Sequence, residues 1–393
     1  MQARAIWLVG GGPMQAEAAT IAKGLGYRLI VSDGDRECAL SRTADVFLNI
    51  STFDVGKHLE ASKHLQSEIQ IGGVLTFAAD CHYTVARLAA SLRLPTVNPD
   101  LSWICWNKEL SRVALREVGF TQPQFSEFKD FNSAAAFARE LKGPFVLKPT
   151  NSSGSRGFRM IEDLAAFDQE AFEYTKSFGL SGSVILEERL ETAPDRIAEI
   201  SVETVWSGES LIFLNAVDRI FGRDIARFPA LRNFYSDPVS EAVEIGHISP
   251  SSLSPQEILE MMEELNSGVS KLVERYPGNP FILKFDLMRT KEGWVILEMT
   301  PRLSGGWDSS LSSRVRGGRL IELSMKLAVH GEYSPDLRQL HEFHDSLISC
   351  VLSLPDSSLD NCIGRRFGSG SGQTVQSALS DAVENLIDGN FIN

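Results

Sequence analysis

Short apolar runs alternate with segments whose apolar positions recur every three or four residues through the first hundred positions of the chain. Residues 5–9 read as a buried strand, 14–25 as a helix and 28–31 as the next strand. Strand patterns recur at 46–50 and 73–77, with helical spacing over 55–69 and 83–92. Alternation of this kind predicts a parallel sheet covered by helices. The stretch LPTVNPD marks the exit from it.

Beyond it the pattern changes. A helix over 108–118 stops at Gly119 with Pro123 beyond, and a helix over 133–141 leads into the strand FVLKP. A glycine- and serine-rich segment, another helix and the strand VILEE follow. Strand patterns then dominate, at 198–205, 211–217, 242–245, 281–289 and 294–299, interrupted by a long helix over 255–275 and closed by one over 320–329. This predicts an α+β body behind an α/β start. Residues 334–393 hold a strand-like run at 347–352, a flexible GSGSG and a terminal helix over 375–387, and no internal repeat is present.

A length of 393 residues exceeds what one core serves, so two or three domains are expected. The hydrophobic fraction of 43% and charged fraction of 23% are those of a soluble globular protein. A net charge of -13 repels nucleic acid and anionic membranes, which argues against both as partners but permits a local basic pocket. The cysteines (Cys38, Cys81, Cys105, Cys350, Cys362) are widely spaced with no CxxC, which favours a reducing cytosol over a disulfide framework or a zinc site. The opening AIWLVGGGP is too short for a signal peptide, and no run is long enough to span a bilayer. A cytoplasmic location is expected.

Several places carry candidate chemistry. Gly10, Gly11 and Gly12 sit where the first strand becomes a helix and Asp33 ends the next strand, the layout of a dinucleotide fold. Gln15 stands at the third glycine of GxGxxG, so a structural turn is the better reading than bound NAD. In Lys148-Pro-Thr-Asn-Ser-Ser-Gly-Ser-Arg-Gly157, a lysine ends an apolar strand, and the small residues after it let backbone N–H groups approach phosphate oxygens. A surface linker would need no such lysine, because an unpaired buried charge is costly.

Later, Lys291-Glu292-Gly293 reads as a three-residue hairpin loop, so that Thr290 faces Trp294 and Asp286 faces Glu298. Period two puts Phe281, Leu283, Phe285 and Leu287 on one face, with Lys284 and Asp286 on the other. Opposed carboxylates destabilise a sheet unless a cation lies between them, and magnesium favours carboxylates together with nucleotide phosphates. A solvated hairpin face is the alternative. Arg302, leaving the same strand into a glycine turn, suits bidentate binding of a carboxylate or a phosphoryl group.

In this order the pieces resemble the ATP-grasp superfamily, in its carboxylate–amine ligase and biotin carboxylase-like branch, over residues 1–330. The resemblance implies an α/β and α+β fold: a Rossmann-like pre-ATP-grasp domain (1–103), a small lid subdomain (104–190), and a main body with the metal site (191–333). An extension (334–393) matches nothing. By similarity, Lys108 and Lys148 contact ATP, Ser153, Gly154, Ser155 and Gly157 form its phosphate loop, and Glu187, Glu188 and Leu190 take adenine and ribose. The strand EISVE, carrying Glu199, would line the same site.

Asp286 and Glu298 match the family's acids for Mg2+, with Mn2+ as a substitute; Thr300 stands where the family usually has an asparagine ligand. Arg302 matches its active-site arginine, acting with Lys148 in catalysis. Arg219, Arg223, Arg227 and Arg232 would belong to a substrate or phosphate loop, or to a solvated one. Trp307 and Asp308 are candidates for the acceptor pocket, Trp307 equally for the core, whereas His82 and His247 have no constellation around them and read as structural.

The implied activity is ATP-dependent joining of a small-molecule carboxylate to an amine through an acyl phosphate, and dimers are common among similar proteins. A kinase or a bicarbonate-activating carboxylase would use the same nucleotide site. A non-catalytic nucleotide binder is the remaining alternative.

Overall fold

The computed structural model describes residues 4–152, 154–193, 196–235, 243–305, 307–344, 347–354 and 366–392. Ser153, Cys362 and the first position of the strand predicted at 242 lie outside them. The other four cysteines are free thiols. Among the described residues, no helix is long and apolar enough to cross a membrane.

Strands β1 (Ala5–Val9), β2 (Arg28–Asp33), β3 (Val46–Asn49) and β4 (Ile71–Leu75) form a four-stranded sheet in the order β3-β2-β1-β4, with every pairing parallel. All five residues of β1 are buried, which is why it reads as an unbroken apolar run. Helices α1 (Ala16–Gly24), α2 (Val55–Leu65) and α3 (His82–Ser91) accompany the sheet; α2 ends four residues before the predicted boundary. Helix α4 (Pro99–Trp106) follows, capped by the Asn98 side chain. Apolar spacing hides it, because Leu101, Trp103, Ile104, Cys105 and Trp106 leave it no polar face.

Helix α5 (Lys108–Glu117), capped by Asn107, leads to a second sheet. Strands β5 (Phe125–Phe128), β6 (Phe145–Pro149), β7 (Arg159–Ile161) and β8 (Val184–Glu188) pair antiparallel in the order β5-β8-β6-β7. Helices α6 (Phe131–Leu141) and α7 (Gln169–Ser177) cover it, packing Ala134, Ala138 and Phe172 against Phe145, Leu147 and Leu186.

The third sheet contains β9 (Glu199–Trp206), β10 (Leu211–Phe221), β11 (Glu244–Ser249), β12 (Phe281–Thr290), β13 (Gly293–Thr300), β14 (Ile348–Leu354) and β15 (Arg366–Gly372). It is antiparallel throughout, in the order β13-β12-β9-β10-β11-β14-β15. Between its strands lie α8 (Pro229–Phe234), α9 (Pro255–Arg275), α10 (Asp308–Arg316), α11 (Leu320–His330) and α12 (Pro335–Arg338), and α13 (Val375–Ile387) ends the chain's regular structure. A capping box of Ser254 and Glu257 with Pro255 at the first position starts α9. Its Leu265, Val269 and Leu272 join Phe281, Leu283, Phe285 and Leu287 in one core, leaving Lys284 and Asp286 on the opposite face of β12 with Ile282 and Met288.

Two expectations are corrected here. The hairpin loop has two residues, not three, since Thr290 pairs with Gly293 and Arg289 with Trp294. A bulge at Leu297 then shifts the register between Leu287 and Asp286, and this brings Asp286 opposite Glu298 after all. Nor is GSGSG flexible: it forms β15, beneath α13. A Cβ on Gly370 would stand 2.2 Å from the Ala382 nitrogen and 2.3 Å from the Ala378 oxygen, so the glycines permit helix-on-strand contact. Gly370→Val is expected to cost about 3 kcal/mol, read as a lowered urea midpoint; an unchanged midpoint would contradict this packing.

Candidate functional site

A cleft of about 770 Å³ opens between the second and third sheets. Lys108, Lys148, Gly154, Ser155, Glu187, Glu188, Leu190, Asp286, Glu298 and Arg302 all line it, although they span nearly two hundred positions of sequence. Gly157 and Thr300 do not reach its surface. Gly157 (φ 72°) instead packs against Phe178, which a Cβ there would meet at 2.8 Å.

On the second sheet, Glu187 faces Val146 across the β6–β8 ladder and so lies diagonal to Lys148. Lys148 Nζ donates to Glu187 Oε2 at 2.7 Å, while Arg112 on α5 donates to both oxygens at 2.8 and 3.1 Å. Burial raises the Glu187 pKa, yet Arg112 and Lys148 outweigh it and hold the carboxyl well below its ordinary range. For Lys148 burial wins: its pKa is lowered, although Glu187 opposes the shift. Both Glu187 oxygens are thus engaged, whereas among the described residues no such pairing ties down Glu188 and Leu190 where they line the cleft.

Lys108 Nζ donates to the Ser152 carbonyl at 2.5 Å, tying α5 to the loop after β6. That loop turns through Gly154 (φ 63°) and Ser155 (φ 55°), a left-handed backbone that glycine tolerates best.

On the third sheet, Asp286 is 5% exposed and its Oδ2 accepts from Lys284 Nζ at 2.7 Å, with Arg219 Nη1 at 3.4 Å. Burial raises its pKa, but Arg219 and Lys284 more than offset this and keep it low. Asp286 Oδ1 and Thr300 Oγ1 are buried without a hydrogen-bond partner. Orphaned oxygens beside a second carboxylate are what a hard divalent cation would satisfy, so these residues fit magnesium. Among the described residues no group of three or more His, Cys, Asp or Glu could form an all-protein metal cage. A magnesium ion here would therefore draw its other ligands from phosphate and water.

Of the four candidate arginines, Arg219 and Arg223 reach the cleft. Arg219 bonds Glu244 at 2.6 Å and Arg223 bonds Glu199 at 2.6 Å, whereas Arg227 pairs with Asp224 and Arg232 is exposed on α8. His247 is not isolated, contrary to expectation. Its Nε2 lies 2.6 Å from Glu244 and its Nδ1 2.6 Å from Asp308, and all three line the cleft. Period two would put Glu244 and His247 on opposite faces of β11; a bulge against Phe221 brings them together. Asp308 arrives from the start of α10, which no local signal reveals.

Burial alone would lower the His247 pKa, but Asp308 and Glu244 push it up to about 10. An unfolded histidine titrates near pH ~6.5. The stabilisation from this raised group is therefore complete below that pH and is lost as pH rises through about 10. His247→Asn is expected to destabilise most below pH ~6.5 and progressively less toward pH 10, measured by urea unfolding across a pH series. A difference that grows with pH would contradict the geometry.

Arg302 sits 3.9 Å from Asp80, in the segment between β4 and α3, and its Nε is buried without a partner. Asp80 also lies 3.6 Å from His82, whose ring burial depresses to about 4 and so keeps neutral. Trp307, left-handed at the start of α10, packs against Phe367 with the rings tilted by 58° and their centroids 4.9 Å apart, and does not line the cleft. In the first sheet's glycine turn, the Gly11 N–H donates to Asp33 Oδ2 at 2.7 Å and the Gln15 amide donates to the Gly10 oxygen at 2.6 Å. The turn is closed on its own side chains.

Sequence reasoning passes over Arg112, Asp80 and the role of Lys284. Arg112 does leave a trace: it stands among Ser111, Ala114 and Leu115 on the buried stripe of α5.

The architecture, with its cleft between two antiparallel sheets, is shared with solved structures at low identity: the chain has the ATP-grasp fold. An L-amino acid ligase from Bacillus licheniformis superposes with a TM-score of 0.69 at 16% identity, over 91% of this chain and 82% of its own. The biotin carboxylase domain of 2-oxoglutarate carboxylase from Hydrogenobacter thermophilus, crystallised with MgADP, ADP and bicarbonate, gives 0.62 at 17%, over 90% and 75%. Among curated sequences, an uncharacterized protein, y4rH, of Sinorhizobium fredii is 25% identical over 70% of this chain, and a phosphoribosylamine–glycine ligase of Methanopyrus kandleri is 24% identical over 76%. The chain spans 52% of the first and 66% of the second. No family model matches.

Proposed function

We propose that the chain is an ATP-dependent ligase that joins a small-molecule carboxylate to an amine through an acyl phosphate, releasing ADP and phosphate. The observation that carries this reading is one cleft holding both a strand-end lysine and unpartnered carboxylate oxygen: Lys148 on one wall, Asp286 Oδ1 with Glu298 on the other. The MgADP bound to the Hydrogenobacter neighbour supports a nucleotide there. On this reading residues 1–103, 104–190 and 191–333 are the pre-ATP-grasp, lid and main-body domains, and β14 and β15 of the extension complete the main sheet, with α13 packed on them.

Lys148, Lys108 and the loop through Gly154 and Ser155 would grip the phosphates, with Glu188 and Leu190 at the base. Magnesium, or manganese in its place, held by Asp286 Oδ1 and Glu298, would neutralise charge on the transferring phosphoryl group. Arg302, braced by Asp80, would hold the activated carboxylate for the amine. Positioning and charge carry the step; no protein nucleophile is needed.

The test is ADP release across pairs of small carboxylates and amines, with mass analysis of products. Release that needs both substrates supports the ligase. A stable phosphorylated product indicates a kinase, and carboxylation with bicarbonate indicates a carboxylase. No ADP with any pair would reject catalysis. Glu298→Gln is expected to lower ADP release by about 10²–10³-fold, with a raised magnesium requirement.

A further inference from the structure

We propose that Lys284 is a built-in cation of this metal site, its ammonium standing where a second divalent ion would otherwise bind, so that the chain takes one divalent ion with its nucleotide. The proposal rests on the nucleotide reading above.

Lys284 lies two residues before Asp286 on β12, and therefore on the same face, with Thr300 directly opposite on β13. It is 8% exposed and lines the cleft. Its ammonium donates to Asp286 Oδ2 at 2.7 Å, leaving two of its three donors for a ligand. The two oxygens of Asp286 are thereby divided. Oδ2 faces the ammonium and the Arg219 guanidinium, while Oδ1 is buried without a partner.

The anionic oxygens left for a metal are Asp286 Oδ1 and the Glu298 carboxylate, enough to bridge one hard cation. Thr300 Oγ1, also buried without a partner, adds a neutral ligand and no charge. Beyond the second Glu298 oxygen, a second ion would find no carboxylate oxygen from this pair. It would also stand beside a fixed ammonium in a poorly hydrated place, where like charges repel strongly. The neighbouring acids offer none either, since Glu199 and Glu244 are bonded to Arg223 and Arg219.

Lys284 is more than a neutraliser of Asp286. Arg219 is shared among Asp286, Glu199 and Glu244, so Lys284 is the cation closest to Asp286 Oδ2. Its free donors give it a use that charge balance does not: contact with phosphate oxygens, as a metal would make.

The experiment uses the full chain in excess over a non-hydrolysable ATP analogue, with Mn2+ as probe. Electron paramagnetic resonance counts bound ions, and dipolar broadening reports a pair at about 4 Å. We expect one Mn2+ per bound nucleotide with the spectrum of an isolated ion. Lys284→Met is expected to take up a second, coupled Mn2+, and Lys284→Arg to retain one. Two coupled ions in the native chain would overturn the proposal and leave the nucleotide reading standing. A single ion in Lys284→Met would also overturn it. No binding of Mn2+ and nucleotide in the native chain would overturn both.

Discussion

Lys148→Ala is expected to reduce ADP formation by about 10²–10³-fold and to leave the folded state nearly intact. The two effects separate because of how the charge is anchored. Glu187 keeps its pair of bonds to Arg112 when Lys148 is removed, so no buried carboxylate is left alone. Loss of one charge-assisted bond of this kind costs about 1.5–3 kcal/mol. In the proposed mechanism its charge has no such substitute on β6. The other β6 residues that line the cleft, Val146 and Pro149, carry no charge, and phosphoryl transfer depends on fixed positive charge where negative charge develops. Steady-state ADP release and urea unfolding, measured on the same preparation, decide the matter. Native-like turnover would remove Lys148 from the mechanism; loss of the folded state would make it a structural lysine. Because burial lowers the Lys148 pKa, native activity should also fall at a lower alkaline pH than an exposed lysine would dictate.

How far the chain is legible follows from which interactions are local. Strands β1, β6 and β8 and helices α9 and α13 occupy the residues that periodicity predicts, because each buries one continuous face or run. That the loop after β6 and the acids at 286 and 298 line one cleft is legible for a related reason: a lysine within an apolar strand and opposed carboxylates on a hairpin are local conflicts that invite a ligand. Bulges are not local in this sense. One extra residue at 297 rescues a register that the two-residue turn would otherwise spoil, and another in β11 joins Glu244 to His247. Neither can be read from apolar alternation, since a bulge only shows once the partner strand is known. Contacts between elements remote in sequence are equally silent. Asp308 reaches His247 and Asp80 reaches Arg302 only through packing of the first domain and α10 onto the third sheet. The glycines of β15 mislead for the opposite reason: composition suggests flexibility, whereas close packing by α13 requires the absence of a Cβ.

Arg112→Leu should give the largest loss of stability, about 3–5 kcal/mol. Arg112 is 2% exposed and joins three parts of the fold at once. From α5 it bonds Glu187 on the second sheet, the Ile296 carbonyl on the third, and Gln122 in the segment between. Removing the guanidinium leaves Glu187 buried with Lys148 as its one remaining cation, and Lys148 is the group that burial already drives toward the neutral form. Adding Glu187→Gln should recover part of the loss, because the uncompensated charge goes and an amide oxygen remains for Lys148. The double variant should therefore unfold at higher urea than Arg112→Leu alone, a coupling that simple loss of packing would not produce. Nucleotide affinity should fall in the single variant as well, since the same carboxylate holds Lys148 toward the cleft. Equal midpoints for the single and double variants would show that the buried charge is not what Arg112 balances.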